Sequence, residues 1–223
     1  MKQIPLPIAH EAARTFDDFL PGANASALAH LKALSTPAPP VYLWGASGSG
    51  KTHLLQATVQ RFEARGTNAS WFDAATPAPW PFDEVRGLIA IDDCHALDAD
   101  QQHAAFALFV ESVTHGVPVL AAGRLPPVDL GLREDLRTRL GWGHVFAVQP
   151  LGEAEVRSRL RRAADQSGLF LSDEVMDYVL VRFDRDLKHL MALLTRLDRF
   201  AMATQRQITV PMLKQMLVEE GVP

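Results

Sequence analysis

The apolar residues of this chain follow two alternating rhythms as far as about residue 150 and a single rhythm after it. In the first part, short runs with strand propensity (Val41-Tyr42-Leu43-Trp44, Ser70-Trp71-Phe72, Gly87 to Ile91, Val117 to Ala122, His144 to Val148) are separated by segments with helical spacing. Leu28, Leu31 and Leu34 mark one such segment, and Leu54, Leu55, Thr58, Val59 and Phe62 a second. Ala104, Leu108, Phe109 and Ser112 mark a third, from about Asp100 to His115. Leu132 to Leu140 is a short basic helix that includes Arg133, Arg137 and Arg139. The run at 87–91 has no polar alternation, which suits a strand buried on both faces of a parallel sheet. Strands alternating with helices predict such a sheet with right-handed crossovers.

Past Gln149-Pro150-Leu151-Gly152 only helices are predicted, at about 153–166, 173–182, 185–204 and 210–219. Ser172 and Thr209 stand where N-caps belong. Leu187, Leu190, Met191, Leu194, Leu197 and Ala201 make a continuous apolar stripe, the core of a small helical lid. The expected fold is therefore α/β: a five-stranded parallel sheet flanked by helices, followed by a small all-α domain. The expected domains are a tail at 1–10, an α/β domain at 11–150 and a helical lid at 151–223.

Punctuation fills in the rest. Asn24 is expected to cap the helix that carries Leu28, and Ser35-Thr36-Pro37-Ala38-Pro39-Pro40 to stop it. Phe16 and Phe19, ending at Pro21-Gly22, suggest a turn closing over something apolar. Gly66 and Gly116 read as helix ends. Thr76-Pro77-Ala78-Pro79-Trp80-Pro81 reads as a surface loop. Pro5 and Pro7 exclude helix from the first nine residues. By its residues alone, that stretch is either a loosely packed start or a short linear motif for a partner's groove.

Composition changes little. A chain of 223 residues, 48% hydrophobic and 22% charged, can bury one good core and a second small one. A net charge of −4 gives no general pull toward nucleic acid or anionic membrane. The single Cys94 excludes an internal disulfide and fits a reducing, cytoplasmic setting. No apolar run is long enough to span a bilayer, and the start has no signal-peptide pattern.

The chemistry concentrates at the first strand. Gly45-Ala46-Ser47-Gly48-Ser49-Gly50-Lys51-Thr52 fills G-x-x-x-x-G-K-T between a strand and an amphipathic helix, the context of a phosphate-binding loop. Its glycines let the backbone close around phosphates, and its N–H groups and the helix N-terminus face the anion. Lys51 is expected on the β- and γ-phosphates of ATP or ADP, with the Thr52 hydroxyl on Mg²⁺. About forty residues on, an apolar strand ends at Asp92-Asp93, the Walker B position. Asp92 is expected to support Mg²⁺ and Asp93 to orient the attacking water. Cys94 and His95 lack companion ligands and read as packing or loop residues. Arg157, Arg159, Arg161 and Arg162 read as a solvated face balanced by Glu153, Glu155 and Asp165.

A five-stranded P-loop domain followed by a helical lid resembles an AAA+ module. Thr15-Phe16-x-x-Phe19-x-x-Gly22-x-Asn24, the two Walker segments, Arg137-Thr138-Arg139-Leu140-x-Trp142-Gly143 and Phe183-Asp184-Arg185-Asp186-Leu187 are similar to segments of the DnaA family. The sequence ends at Pro223, where the lid ends, without the DNA-binding domain of the initiator itself. Gln3-Ile4-Pro5-Leu6-Pro7 is similar to the sliding-clamp motif of the family's truncated, regulatory branch.

That resemblance carries roles. Gly45, Ser47, Gly48, Ser49, Gly50, Lys51, Thr52, His53, Phe16 and Asn24 would bind nucleotide, with Arg185 reaching the phosphates as sensor 2. Arg139 would be an arginine finger acting in trans, and residues 3–7 would bind the β clamp of DNA polymerase III. The resemblance implies a clamp-bound regulator that stimulates ATP hydrolysis by DnaA, meets DNA only through the clamp and has no membrane role. The alternative is a helicase loader or DNA-remodelling AAA+ ATPase; ADP against ATP, and monomer against homodimer, are open. One departure stands out: strand four ends in Ala121-Ala122-Gly123-Arg124, without the usual polar sensor. With Asp93 in place of a longer Glu, good binding and poor hydrolysis are expected.

Overall fold

The structure is a computed structural model that describes residues 14–83, 85–183 and 187–219. The chain folds as two compact units that meet in sequence at Gln149 and Pro150.

In the first unit, β1 (Val41–Trp44), β2 (Ala69–Phe72), β3 (Leu88–Ile91), β4 (Val119–Gly123) and β5 (His144–Ala147) form one sheet in the order β2-β3-β4-β1-β5. Every pairing is parallel. All residues of β3 and β4 are buried, which explains their unbroken apolar runs, whereas β5 is an edge strand and largely exposed. The helices are α1 (Ala25–Ala33), α2 (Lys51–Glu63), α3 (Ala99–His115) and α4 (Glu134–Gly141).

Two apolar cores fill this unit. One gathers Leu28, Leu31, Leu43, Leu54, Leu55 and Leu88 with Phe16 and Phe19. The other gathers Tyr42, Ile89, Ile91, Leu108, Phe109 and Leu136. α3 starts in a reciprocal capping box, Asp98 accepting from the Gln101 N–H and the Gln101 side chain from the Asp98 N–H. Gly116 ends it in the left-handed region at φ 69°.

Three readings need correction here. The Asn24 side chain does not cap α1: it donates to the Gln149 carbonyl at 2.9 Å and accepts from the Gln149 N–H at 2.7 Å. The segment at 76–81 is irregular but not merely surface, because Trp80 is buried and stacks on Phe72 with centroids 4.8 Å apart. Three short 3-10 turns, at 22–24, 94–96 and 127–129, escaped the periodicity because each is under one helical repeat long.

The second unit holds α5 (Glu153–Gln166), α6 (Asp173–Arg182), α7 (Leu187–Thr204) and α8 (Val210–Glu219). Val156, Leu160, Val179, Leu190, Leu197, Met212 and Met216 are among its core residues. Ser172 accepts from the Val175 N–H and Thr209 from the Met212 N–H, as N-caps should. Of the arginines of α5, Arg161 and Arg162 are exposed and Arg157 and Arg159 half-buried, and two main partners come from α6: Asp177 for Arg157 and Asp173 for Arg161. No helix among the described residues is long and apolar enough to cross a membrane.

Candidate nucleotide site and arginine-bearing edge

The glycine-rich loop leaves the carboxyl end of β1 and enters α2 at Lys51. Gly50 is required there twice over. Its φ is 102°, and a Cβ would press on the Phe19 ring at 2.8 Å. Phe19 also meets the His53 ring edge-on at 5.4 Å. His53 Nε2 lies 2.7 Å from the Thr15 carbonyl oxygen, and burial lowers its pKa. The segment from Thr15 to Phe19 thus closes over the start of α2. Phe19, rather than Phe16, makes the contact at Gly50; Phe16 packs in the core, with Lys32 Nζ 6.0 Å from its ring centroid.

Lys51 is buried, and its ammonium donates to the Gly45 and Ala46 carbonyls at 2.8 Å each. Burial lowers its pKa, opposed by the charges of Asp92 and Asp93. Asp92 is buried, accepts from the Thr52 hydroxyl and accepts from the Asp93 N–H at 2.9 Å. Burial raises its pKa; the hydrogen bonds and Lys51 oppose that. Asp93 is exposed and has left-handed backbone, φ 48°. Hydroxyl and carboxylate oxygens side by side are the hard donors that Mg²⁺ takes, completed by phosphate and water. Thr52 and Asp92 therefore fit that ion with one or two protein ligands, as a nucleotide-bound magnesium requires.

Sequence reasoning missed two neighbours. His95 Nδ1 lies 3.9 Å from an Asp93 carboxylate oxygen and has no hydrogen-bond partner among the described residues. Its pKa is lowered, first by burial, and the charges of Arg124 and Lys51 add to that. Tyr42, fully buried in β1, donates from its hydroxyl to the Leu125 carbonyl at 3.0 Å. The Tyr42 contact depends on how strands line up, which no local pattern encodes, whereas His95 meets Asp93 within the short turn that follows β3. Cys94 is fully buried, its thiol pushed up to about 12, as an inert packing residue should be.

Arg139 belongs to a different edge. It lies in the last turn of α4, its guanidinium carbon 5.6 Å from the ring centroid of the exposed Trp142. His144 at the start of β5 is level with Val41 at the start of β1 and donates its N–H to the Pro40 carbonyl at 2.9 Å. The turn after Arg139 is therefore at the end of the sheet where β1 begins, and the chain's own glycine-rich loop departs from the opposite end. Beside Arg139 lies a groove of about 860 Å³, lined by Phe106, Arg133, Glu134, Asp135, Thr138 and Trp142.

Among the expected site residues, Gly45, Gly50, Lys51, Thr52, Asp92 and Asp93 come together at the carboxyl edge of β1 and β3, with Ser47, Gly48 and Ser49 in the middle of the loop. Asn24 is instead engaged with Gln149. Arg185 and residues 3–7, Gln3 to Pro7, lie outside the described residues.

Residues 153–217 match the family model for the lid domain of Hda, and residues 11–71 the model for the bacterial DnaA ATPase domain. Domain III of the Thermotoga maritima replication initiation protein DnaA superposes with a TM-score of 0.74 at 20% identity, over 93% of this chain and 97% of that one. AMPPCP-bound DnaA from Aquifex aeolicus matches at 0.67 and 20% identity, over 82% of this chain and 64% of its own. The Thermotoga maritima RuvB Holliday junction branch migration motor matches at 0.66 and 16% identity, over 92% of this chain and 71% of its own. The solved structures share the fold, and the two family models match separate segments of the chain. The chain thus carries a segment like the bacterial DnaA ATPase domain and a segment like the Hda lid, on the fold of DnaA domain III.

Proposed function

We propose that this protein regulates replication initiation as a nucleotide-bound adaptor, attaching to the β sliding clamp through residues 3–7 and stimulating ATP hydrolysis by DnaA. The observation that carries the reading is the separation of Arg139 from the chain's own glycine-rich loop at opposite ends of β1, in a protein with an Hda-type lid. An arginine so placed serves a neighbour's nucleotide rather than its own. ATP or ADP would be held by the loop at 45–52, and Mg²⁺ by Thr52 and Asp92. The ion would neutralise phosphate charge; Lys51 would exchange its two carbonyl partners for phosphate oxygens on binding. Asp93 is exposed beside this site and is the candidate to orient water, but β4 ends without a small polar partner for it. That favours slow turnover by the protein alone.

The test is a reconstituted assay of ATP-loaded DnaA with clamp loaded on DNA. Adding the protein should accelerate ATP loss from DnaA, and deleting residues 1–8 should remove both that effect and clamp binding while leaving ADP affinity unchanged. Clamp binding that survives the deletion would show the tail assignment to be wrong. Rapid hydrolysis by the protein alone would favour a helicase-loader or DNA-remodelling ATPase.

A further inference from the structure

The sheet order sets one residue between the two halves of the nucleotide site. β4 lies between β1 and β3, with Gly123 level with Trp44 and Ala121 level with Ile91. The next residue, Arg124, therefore emerges between the glycine-rich loop and Asp92-Asp93. Its backbone is held from two sides: the Gly45 N–H donates to the Gly123 carbonyl at 3.3 Å, and the Tyr42 hydroxyl donates to the Leu125 carbonyl at 3.0 Å. A Cβ on Gly123 would run into that same hydroxyl, so position 123 can offer no side chain and Arg124 is the first that can reach the cleft. Arg124 is exposed and makes no hydrogen bond or ion pair to another described residue, yet its charge is felt at both Lys51 and His95.

We propose that Arg124 is a phosphate-binding side chain of this site, gripping in cis the terminal phosphate of the bound nucleotide. The proposal rests on the nucleotide-binding reading above and adds to it a residue and a consequence. Lys51 and Arg124 repel one another across the cleft; a phosphate between them turns that repulsion into two attractions. Guanidinium presents a planar fork of N–H donors matched to phosphate oxygens, and carries no acceptor. It can hold a phosphate but cannot accept a hydrogen bond from an attacking water. A residue of this kind at the end of β4 favours retention of nucleotide over its turnover. The terminal phosphate is β in ADP and γ in a triphosphate, and the chemistry of the grip is the same for both.

The experiment measures equilibrium affinity and dissociation rate for ADP and for AMPPCP, each with Mg²⁺, on the full chain and its Arg124→Ala and Arg124→Lys variants. Arg124→Ala should weaken at least one nucleotide by about tenfold or more, the loss of one charge-assisted contact. A loss confined to AMPPCP assigns the grip to the γ-phosphate, and an equal loss for both assigns it to the β-phosphate. Arg124→Lys should recover part of the affinity by restoring the charge without the fork. Melting temperatures without nucleotide should be the same for all three proteins. Unchanged affinity for both nucleotides in Arg124→Ala overturns the proposal. So does a lowered nucleotide-free melting temperature with no recovery in Arg124→Lys, which would mark a structural role. Failure of the wild type to bind either nucleotide refutes the underlying reading, and the proposal with it, before any variant is compared.

Discussion

Asn24 and Gln149 are 125 positions apart in sequence and are joined by two hydrogen bonds, each between the Asn24 amide and the main chain of Gln149. Asn24 is 2% exposed, so water cannot replace those bonds. Asn24→Ala would leave a main-chain N–H and a carbonyl without partners at the last residue of the first unit. The expected cost is about 1–3 kcal/mol for each unsatisfied group, with partial relief as the segment relaxes. Urea denaturation should show that loss, and ADP affinity should remain within about twofold, because the amide serves the main chain rather than the ligand. A large loss of ADP affinity with normal stability would return Asn24 to the nucleotide site.

Asp92 illustrates the opposite balance, a buried charge at the proposed magnesium site held against stability. Its carboxylate is buried beside Thr52, and burial is the leading cause of its raised pKa. The charged form is therefore disfavoured by the fold. Asp92→Asn keeps the shape and removes the charge, so the ligand-free protein should gain about 0.5–2 kcal/mol, the usual scale for relieving a functional site. The same variant should lose the dependence of nucleotide affinity on Mg²⁺. Thermal melts with and without Mg²⁺ and ADP separate the two effects; an Asp92→Asn protein that melts below wild type and still responds to Mg²⁺ would contradict both.

Acid should destabilise the protein through its histidines. His30, His53 and His95 all have pKa values lowered from 6.5, in each case chiefly by burial. His30 also meets the His144 ring at a tilt, centroids 4.3 Å apart, and the charge of His144 lowers it further. The unfolded chain takes up these protons near pH 6.5, whereas the folded chain refuses them until the pH is lower. The stability they contribute is thus complete above pH 6.5 and falls as pH drops through the lowered folded-state values. Asp92 works with the opposite sign, so the measurement belongs in the Asp92→Asn background. There, the urea midpoint should fall from about pH 7.5 to about pH 5.5, and His30→Gln should flatten the slope. A midpoint that rises toward acid would refute the assignment.

The sequence made the elements legible where one pattern acted alone. The helices at 153–166, 173–182 and 210–219 were readable to the residue because an apolar stripe met a clear start such as Gly152, Ser172 or Thr209. The Walker residues were readable because phosphate chemistry constrains a short, contiguous stretch. What escaped is non-local. Trp80 sits among prolines, which report irregular backbone but not burial against Phe72. The partners of Asn24 and Arg157 lie on other elements. Arg124 was visible as a departure, yet its place between β1 and β3 follows only from the order β3-β4-β1.

The prediction that decides the function concerns Arg139. Its guanidinium lies over the Trp142 indole at the rim of the first unit, beside the groove lined by Phe106, Asp135 and Thr138. A cation over an indole face is held at a modest gain, about 0.5–1 kcal/mol when exposed, which positions it without burying it. Charge builds on the γ-phosphate oxygens of a docked DnaA as the bond breaks, and an arginine supplied in trans accelerates such steps by about 10³–10⁵ in GTPases. Arg139→Ala should therefore melt normally, bind ADP normally and bind the clamp, yet fail to accelerate ATP loss from DnaA in the presence of DNA-loaded clamp. Arg139→Lys should fail nearly as fully, because an ammonium lacks the planar fork. Trp142→Ala should fall between wild type and Arg139→Ala, and Trp142→Phe should recover most of the activity by restoring a ring under the cation. Arg206→Ala, an exposed change on the lid whose guanidinium donates to the Gln215 side chain at 3.0 Å, should leave the acceleration intact. An Arg139→Ala protein that accelerates DnaA as well as wild type would remove the mechanism on which the regulatory reading depends.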